Sequence, residues 1–139
     1  MGIVMLAYSD KTYMLPYFDR DIEVQLGYGV YSNNNSLAVI MMCRAADLDE
    51  DLLEDEDYPY DETLFDEILG TITINLESSS TLPPHEQYID INNFPQLSLW
   101  LMENGLASPT GINAKNGRVL YPAYKFQVPP DYVEGLEKI

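Results

Sequence analysis

The chain is 139 residues long, 46% apolar and 12% aromatic, and it sets 23 Asp and Glu against seven Lys and Arg for a formal charge of −16. A chain of this order buries roughly two-thirds of its unfolded surface around one core, so residues 1–139 are expected to form a single domain. The charge excludes direct binding to DNA, RNA or an anionic membrane, each of which calls for a basic footprint.

The elements follow in chain order. The N-terminal run 3–8 and the stretch 12–15 suggest one or two short strands. Residues 1–10 carry no positive n-region for a secretory signal, and Leu6 stands where an acylation signal needs Ser or Thr. Ile22, Val24 and Leu26 alternate with polar neighbours, as in a half-buried strand. Gly27-x-Gly29 reads as a bulge or bend at a strand end, since Ser32 replaces the third Gly of a dinucleotide loop. The Asn-rich stretch 31–36 is a turn, and 36–44 is a buried strand paired with the preceding one as a hairpin. That strand contains the longest apolar run, 37–43, far short of the ~18 residues of a membrane helix.

Residues 47–67 differ in kind. They hold twelve acids and no Lys or Arg, while the other 118 residues hold eleven acids and seven bases. The segment therefore carries −12 of the −16. Its first half, 47–57, has only Leu48, Leu52 and Leu53 to bury, and reads as a poorly ordered loop or an amphipathic turn whose leucines dock on the sheet. Its second half suggests a helix over 61–69, with Leu64, Phe65, Ile68 and Leu69 as the apolar stripe.

Beyond it, 70–76 alternates Ile72, Ile74 and Leu76 against Thr71, Thr73 and Asn75, which predicts a strand with one polar face. A Ser- and Pro-rich loop covers 78–84, and 88–91 is a short strand or an approach to the helix. The clearest helix spans about 95–104. Asn93 or Asn92 is its cap, Pro95 opens it, Leu97, Trp100 and Leu101 form its buried face, and Gly105 stops it. Turns follow at 109–111 and 116–117, and 118–126 is the last strand. The expected architecture is α+β: an antiparallel sheet of four to six strands, one main helix, and an acidic, partly helical excursion over 47–69.

Few side chains here suit catalysis. Cys43 ends an apolar strand, where an inert buried thiol is the usual outcome. His85 follows two prolines in a loop and reads as a solvated surface group. A Ser80–His85–Asp90 triad has no supporting spacing. Asp47-x-Asp49-x-Asp51 begins like a calcium loop, but Leu52 stands where Gly is required and Tyr58 where Glu is required. No Cys/His cluster offers a zinc site. The expectation is a chain that is not an enzyme, with no catalytic residue, no metal and no cofactor. A single cysteine fits a reducing compartment, and the expected location is the cytoplasm.

The second half resembles a known family on four motifs: Thr73-Ile-Asn75-Leu76, Asp90-Ile-Asn92-Asn93, Glu103-Asn-Gly-Leu106 and Tyr121-Pro-Ala-Tyr124-Lys-Phe126. These resemble the TxNL, DxNN, ENGL and YPxYxF pattern of an uncharacterised family, catalogued as a domain of unknown function. Its members are encoded on conjugative elements, plasmids and phages of Gram-positive bacteria. The stretch 31–39 resembles the family's first hairpin, and the likeness covers more than half of the chain. It implies an α+β domain of mobile-element origin in a bacterial cytoplasm, and it carries no catalytic residues. Two departures stand out: the acidic segment is denser than in a typical member, and 110–117 replaces the family's Gly-Arg-rich turn.

Two readings of the acidic segment compete. Acidity can serve solubility alone, in a phage or conjugative-element accessory module that binds another protein through its sheet. Alternatively the carboxylates imitate phosphates in a basic groove. A DNA strand carries one phosphate per ~3.4 Å, and twelve acids in 21 residues give one per ~2.6 Å on a helical path but one per ~5.8 Å when extended. The interleaved aromatics favour a docked segment. The expectation is an anti-CRISPR or anti-restriction inhibitor of a basic nucleic-acid-binding protein, such as a Cas nuclease or restriction enzyme. Its contact residues are Asp47, Asp49, Glu50, Asp51, Glu54, Asp55, Glu56, Asp57, Asp61, Glu62, Asp66 and Glu67, with Tyr58, Tyr60 and Phe65 as anchors.

Overall fold

A computed structural model describes residues 2–139. Eight strands and three α-helices are arranged as β1 (Ile3–Tyr17), β2 (Arg20–Tyr31), β3 (Leu37–Cys43), α1 (Ala45–Leu48), β4 (Glu67–Thr71), β5 (Thr73–Ile74), β6 (Glu86–Ile89), α2 (Leu97–Glu103), β7 (Ala107–Asn116), β8 (Val119–Phe126) and α3 (Pro130–Glu137). Two antiparallel sheets result, in strand orders β1-β2-β3-β4 and β5-β6-β8-β7. The class is α+β, with the strands divided between two four-stranded sheets.

Leu26, Val39 and Met41 of the first sheet pack with Ile89, Tyr124 and Phe126 of the second in one cluster. Ile72 joins the sheets. It is fully buried, its N–H donates to Val39 O at 2.8 Å, and its carbonyl accepts from Asp90 N at 2.8 Å. The run 70–76 is therefore not one strand but a corner that leaves the first sheet and enters the second.

Thr73, expected on a solvent face, is buried at 2% exposure. Its Oγ1 accepts from Val39 N at 3.1 Å and bonds Tyr31 Oη at 2.9 Å. Asn75 Nδ2 donates to Asn33 Oδ1 at 2.9 Å, and Asn75 Oδ1 accepts from Asn34 Nδ2 at 3.0 Å. The Thr and Asn of the first motif thus staple the β2–β3 hairpin to the second sheet.

The other motifs are equally structural. Asp90 accepts from Asn93 N and Nδ2, closing the turn before α2. No side chain caps α2 itself, so the expected Asn93 or Asn92 cap is not formed: Asn93 donates to Asp90, and the accepting side chain of the preceding turn is the Asp. At its end Gly105 has φ +65°, Gly105 N donates to Met102 O at 3.1 Å and Leu106 N to Leu101 O at 2.9 Å, a Schellman stop. Leu97, Trp100 and Leu101 are buried, as the helical spacing requires, and Trp100 Nε1 donates to Met14 O at 2.7 Å.

Several expectations are corrected. The two N-terminal runs are one strand, β1, with a register irregularity between Tyr8 and Thr12. Gly27 and Gly29 lie inside β2, not at its end. A Cβ on Gly29 would sit 2.3 Å from Val4 O, so β1 approaches only because the side chain is missing. Residues 109–111 belong to β7, where Gly111 (φ +87°) takes the irregular register between Pro109 and Asn113. No helix forms over 61–69. A turn at Asp61, where Leu64 N donates to Asp61 O, leads instead into β4, because Ile68 pairs with Met42 on β3. Its i, i+3, i+4 apolar spacing is realised as a short edge strand. Helix α3 was not expected. Tyr132 is fully buried in it, and Gly135 lets Leu6 approach to 3.2 Å of a would-be Cβ.

Candidate functional site

Residues 47–66 leave the first sheet between β3 and β4. The path is compact: α1 and a 3-10 turn over Glu50–Glu54, then a series of Asx-type turns. Asp49 accepts from Asp51 N, Asp55 from Asp57 N, and Asp61 from Thr63 N and Oγ1. Those last two bonds hold the Asp61 carboxyl below its ordinary range, the hydroxyl contributing most. The carboxylates thus organise their own loop while staying at the surface.

Two arginines tether the segment. Arg44, at the end of β3, donates from Nε to Asp47 at 3.1 Å, from Nη2 to Glu23 at 2.7 Å and from Nη1 to Glu62 O at 2.7 Å. Its guanidinium also lies 4.9 Å from the centroid of the Phe65 ring. Arg20, just after the β1–β2 turn, pairs with Glu50 at 3.0 Å and donates to Asp47 O. Neither arginine was singled out by sequence reasoning. Each is an isolated base beside alternating residues, and apart from Asp47, three positions after Arg44, the side-chain partners are distant in sequence.

Of the twelve acids in 47–67, only Asp47 and Glu50 form ion pairs among the described residues. The other ten (Asp49, Asp51, Glu54, Asp55, Glu56, Asp57, Asp61, Glu62, Asp66 and Glu67) are all exposed. The aromatics divide differently. Tyr60 is 51% exposed, Tyr58 is half-buried, and Phe65 is half-buried beneath Arg44, so it is a packing group and not a free anchor. The leucines do not dock as a set: Leu48 and Leu53 are exposed and Leu52 is half-buried.

Groups considered for chemistry sit as follows. Cys43 is fully buried, and burial together with the nearby Asp47 and Glu67 carboxylates pushes its thiol up to about 11, so it is not a thiolate at neutral pH. His85 is half-buried, its ring edge-on to Tyr132 at 6.3 Å, and not a solvated group. Asp90 spends its oxygens on Asn93, with no bond to His85 among the described residues. No group of three or more His, Cys, Asp or Glu is placed to hold a metal ion among the described residues. No described helix is long and apolar enough to cross a membrane.

The family model described as Domain of unknown function (DUF4313) matches residues 25–132. The chain belongs to that family. The match spans the stapled hairpin, the acidic segment and all four motifs, and begins after the β1–β2 turn. No curated protein and no solved structure matches the chain.

Proposed function

We propose that this chain is a mobile-element or phage protein that inhibits a host nucleic-acid-binding defence protein, anti-CRISPR or anti-restriction in role, by acidic mimicry in a basic groove. The observation that carries the reading is the set of ten exposed carboxylates without a cationic partner among the described residues, held on a compact path by Arg20 and Arg44.

Spacing supports it. Over 47–54 five acids fall on eight residues of mostly helical and 3-10 backbone, roughly one per 3 Å at ~1.5–2.0 Å rise, near the ~3.4 Å of strand phosphates. Crowding like charges opposes folding, and a partner's Lys and Arg relieve that repulsion on binding. The protein acts in the cytoplasm of the bacterial host, without catalysis.

The four motifs bind the fold together, which leaves the contact to surface residues outside them. The test is co-elution with a guide-loaded Cas nuclease and displacement by DNA. Binding is expected to fall steeply with salt, and to be lost when Asp51, Glu54, Asp55, Glu56 and Asp57 become Asn or Gln. Retention at high ionic strength, or indifference to neutralisation, overturns the mechanism. In that case the solubility reading, a non-catalytic accessory module that binds a partner elsewhere, takes its place.

A further inference from the structure

The β1–β2 turn carries a feature that acidic mimicry does not use. Tyr17 pairs with Arg20, so Phe18 and Asp19 form a two-residue turn. Phe18 has φ +56° and is 92% exposed, the most exposed of the large apolar side chains. A positive φ at this turn position favours glycine, and an aromatic ring in water adds no burial in return. Tyr17 lies edge-on to it, with ring centroids 4.7 Å apart.

The ring stands between two hollows. On one side is an open groove of about 610 Å³ formed with Pro16, Phe94 and Pro95, and its wall is fixed where Gln96 Nε2 donates to Pro16 O at 3.0 Å. On the other is a polar hollow of about 480 Å³ formed with Asp49, Glu50 and Asp51. Arg20, on the wall of the polar hollow, pairs there with Glu50 at 3.0 Å. Asp19 and Asp21 add further exposed carboxylates to the same turn. An apolar groove thus lies directly beside an anionic one, divided by a single ring.

We infer that this turn is a docking site for a cationic, amphipathic segment of a partner protein. One apolar side chain fills the groove against Phe18, and the flanking Lys or Arg faces Asp49 and Asp51. Charge complementarity decides the occupant. An anionic lipid or nucleic acid is repelled by the acidic flank, and a neutral apolar segment leaves it unanswered. The inference shares with the proposed function a basic partner and the Asp49, Glu50 and Asp51 carboxylates, and it adds the apolar groove beside Phe18, which that reading does not use.

The experiment titrates the full chain with three short synthetic peptides: alternating Leu and Lys, the same with Leu replaced by Ser, and the same with Lys replaced by Glu. Affinity is read by fluorescence anisotropy and location by amide chemical shifts. The Leu–Lys peptide is expected to bind about tenfold tighter than the Ser–Lys peptide, the share of one buried aliphatic side chain. Shifts should centre on 16–20 and 94–96. In Phe18→Gly, whose fold is checked by circular dichroism, that preference is expected to vanish while residual charge attraction remains. Equal affinity for the Leu–Lys and Ser–Lys peptides, an undiminished preference in Phe18→Gly, or shifts confined to 51–66 would overturn it. The two readings fail separately. Loss of nuclease co-elution leaves the peptide preference untouched, and loss of that preference leaves salt-dependent nuclease binding untouched.

Discussion

Replacing Arg44 by Met tests whether the acidic segment is held by one cation. The variant keeps a long apolar stem but deletes three charge-assisted hydrogen bonds, to Glu23, Asp47 and the Glu62 carbonyl, and the contact over Phe65. The guanidinium is 16% exposed and its two carboxylate partners about one-third exposed, so water recovers part of each lost bond. Discounting for that, each bond is worth ~0.5–1 kcal/mol and the cation–π contact ~0.5–1 kcal/mol, for a total of about 2–4 kcal/mol. For a chain of 139 residues this lowers Tm by roughly 7–14 °C. Calorimetry checks the magnitude, and amide hydrogen exchange checks the place. Protection should fall over 45–66 and persist in β2, β3 and β8. A Tm drop below about 2 °C, or a larger one with exchange over 45–66 unchanged, would refute the assignment of Arg44 as the tether.

Four further outcomes follow from the same geometry. The Glu23 carboxyl is held below its ordinary value of 4.5, chiefly by the Thr12 hydroxyl and then by Arg44. A depressed folded pKa contributes stability that is present above the unfolded value and lost as pH falls through the folded one, so Glu23→Gln should flatten the acid limb of the stability curve below about pH 4.5. Gly29→Ala places a Cβ 2.3 Å from Val4 O and should cost about 3 kcal/mol or more in denaturant unfolding, because backbone and not a side-chain tip must move. Phe18→Gly should instead raise stability by about 1 kcal/mol, since φ +56° is strained for Phe and burial there is negligible. Cys43 should resist iodoacetamide in the folded protein near neutral pH and react on unfolding, as its burial and raised pKa of about 11 require.

Binding devices of the proposed kind trade against stability, and this chain shows where. Ten acids without an ion pair among the described residues repel one another, and Phe18 leaves a large ring in water on strained backbone. Both features are local. The stapled hairpin, the Ile72 corner and the buried Gln87 lie elsewhere. Gln87 Nε2 donates to Leu37 O at 3.0 Å, and its Oε1 accepts from Ser79 Oγ and Tyr88 N. Gln87 is thereby satisfied, whereas the buried Tyr132 Oη has no hydrogen-bond partner among the described residues.

Sequence alone determined what depends on short-range periodicity and on composition. The alternation around Ile22, Val24 and Leu26 marks β2, the spacing of Leu97, Trp100 and Leu101 marks α2, and Gly105 marks its end. The confinement of −12 to 47–67 needs no coordinates at all. What periodicity could not decide is which element a given apolar set packs against. Leu64, Phe65, Ile68 and Leu69 have helical spacing, yet pairing of Ile68 with Met42 on β3 makes an edge strand. Thr73 looks solvent-facing until the second sheet closes over it. The tertiary structure also decided the candidate site: Arg20 meets Glu50 thirty positions away, Arg44 meets Glu23 twenty-one away, and Phe18 faces residues from two distant loops. Such meetings are fixed by chain topology, which no window of neighbouring residues contains.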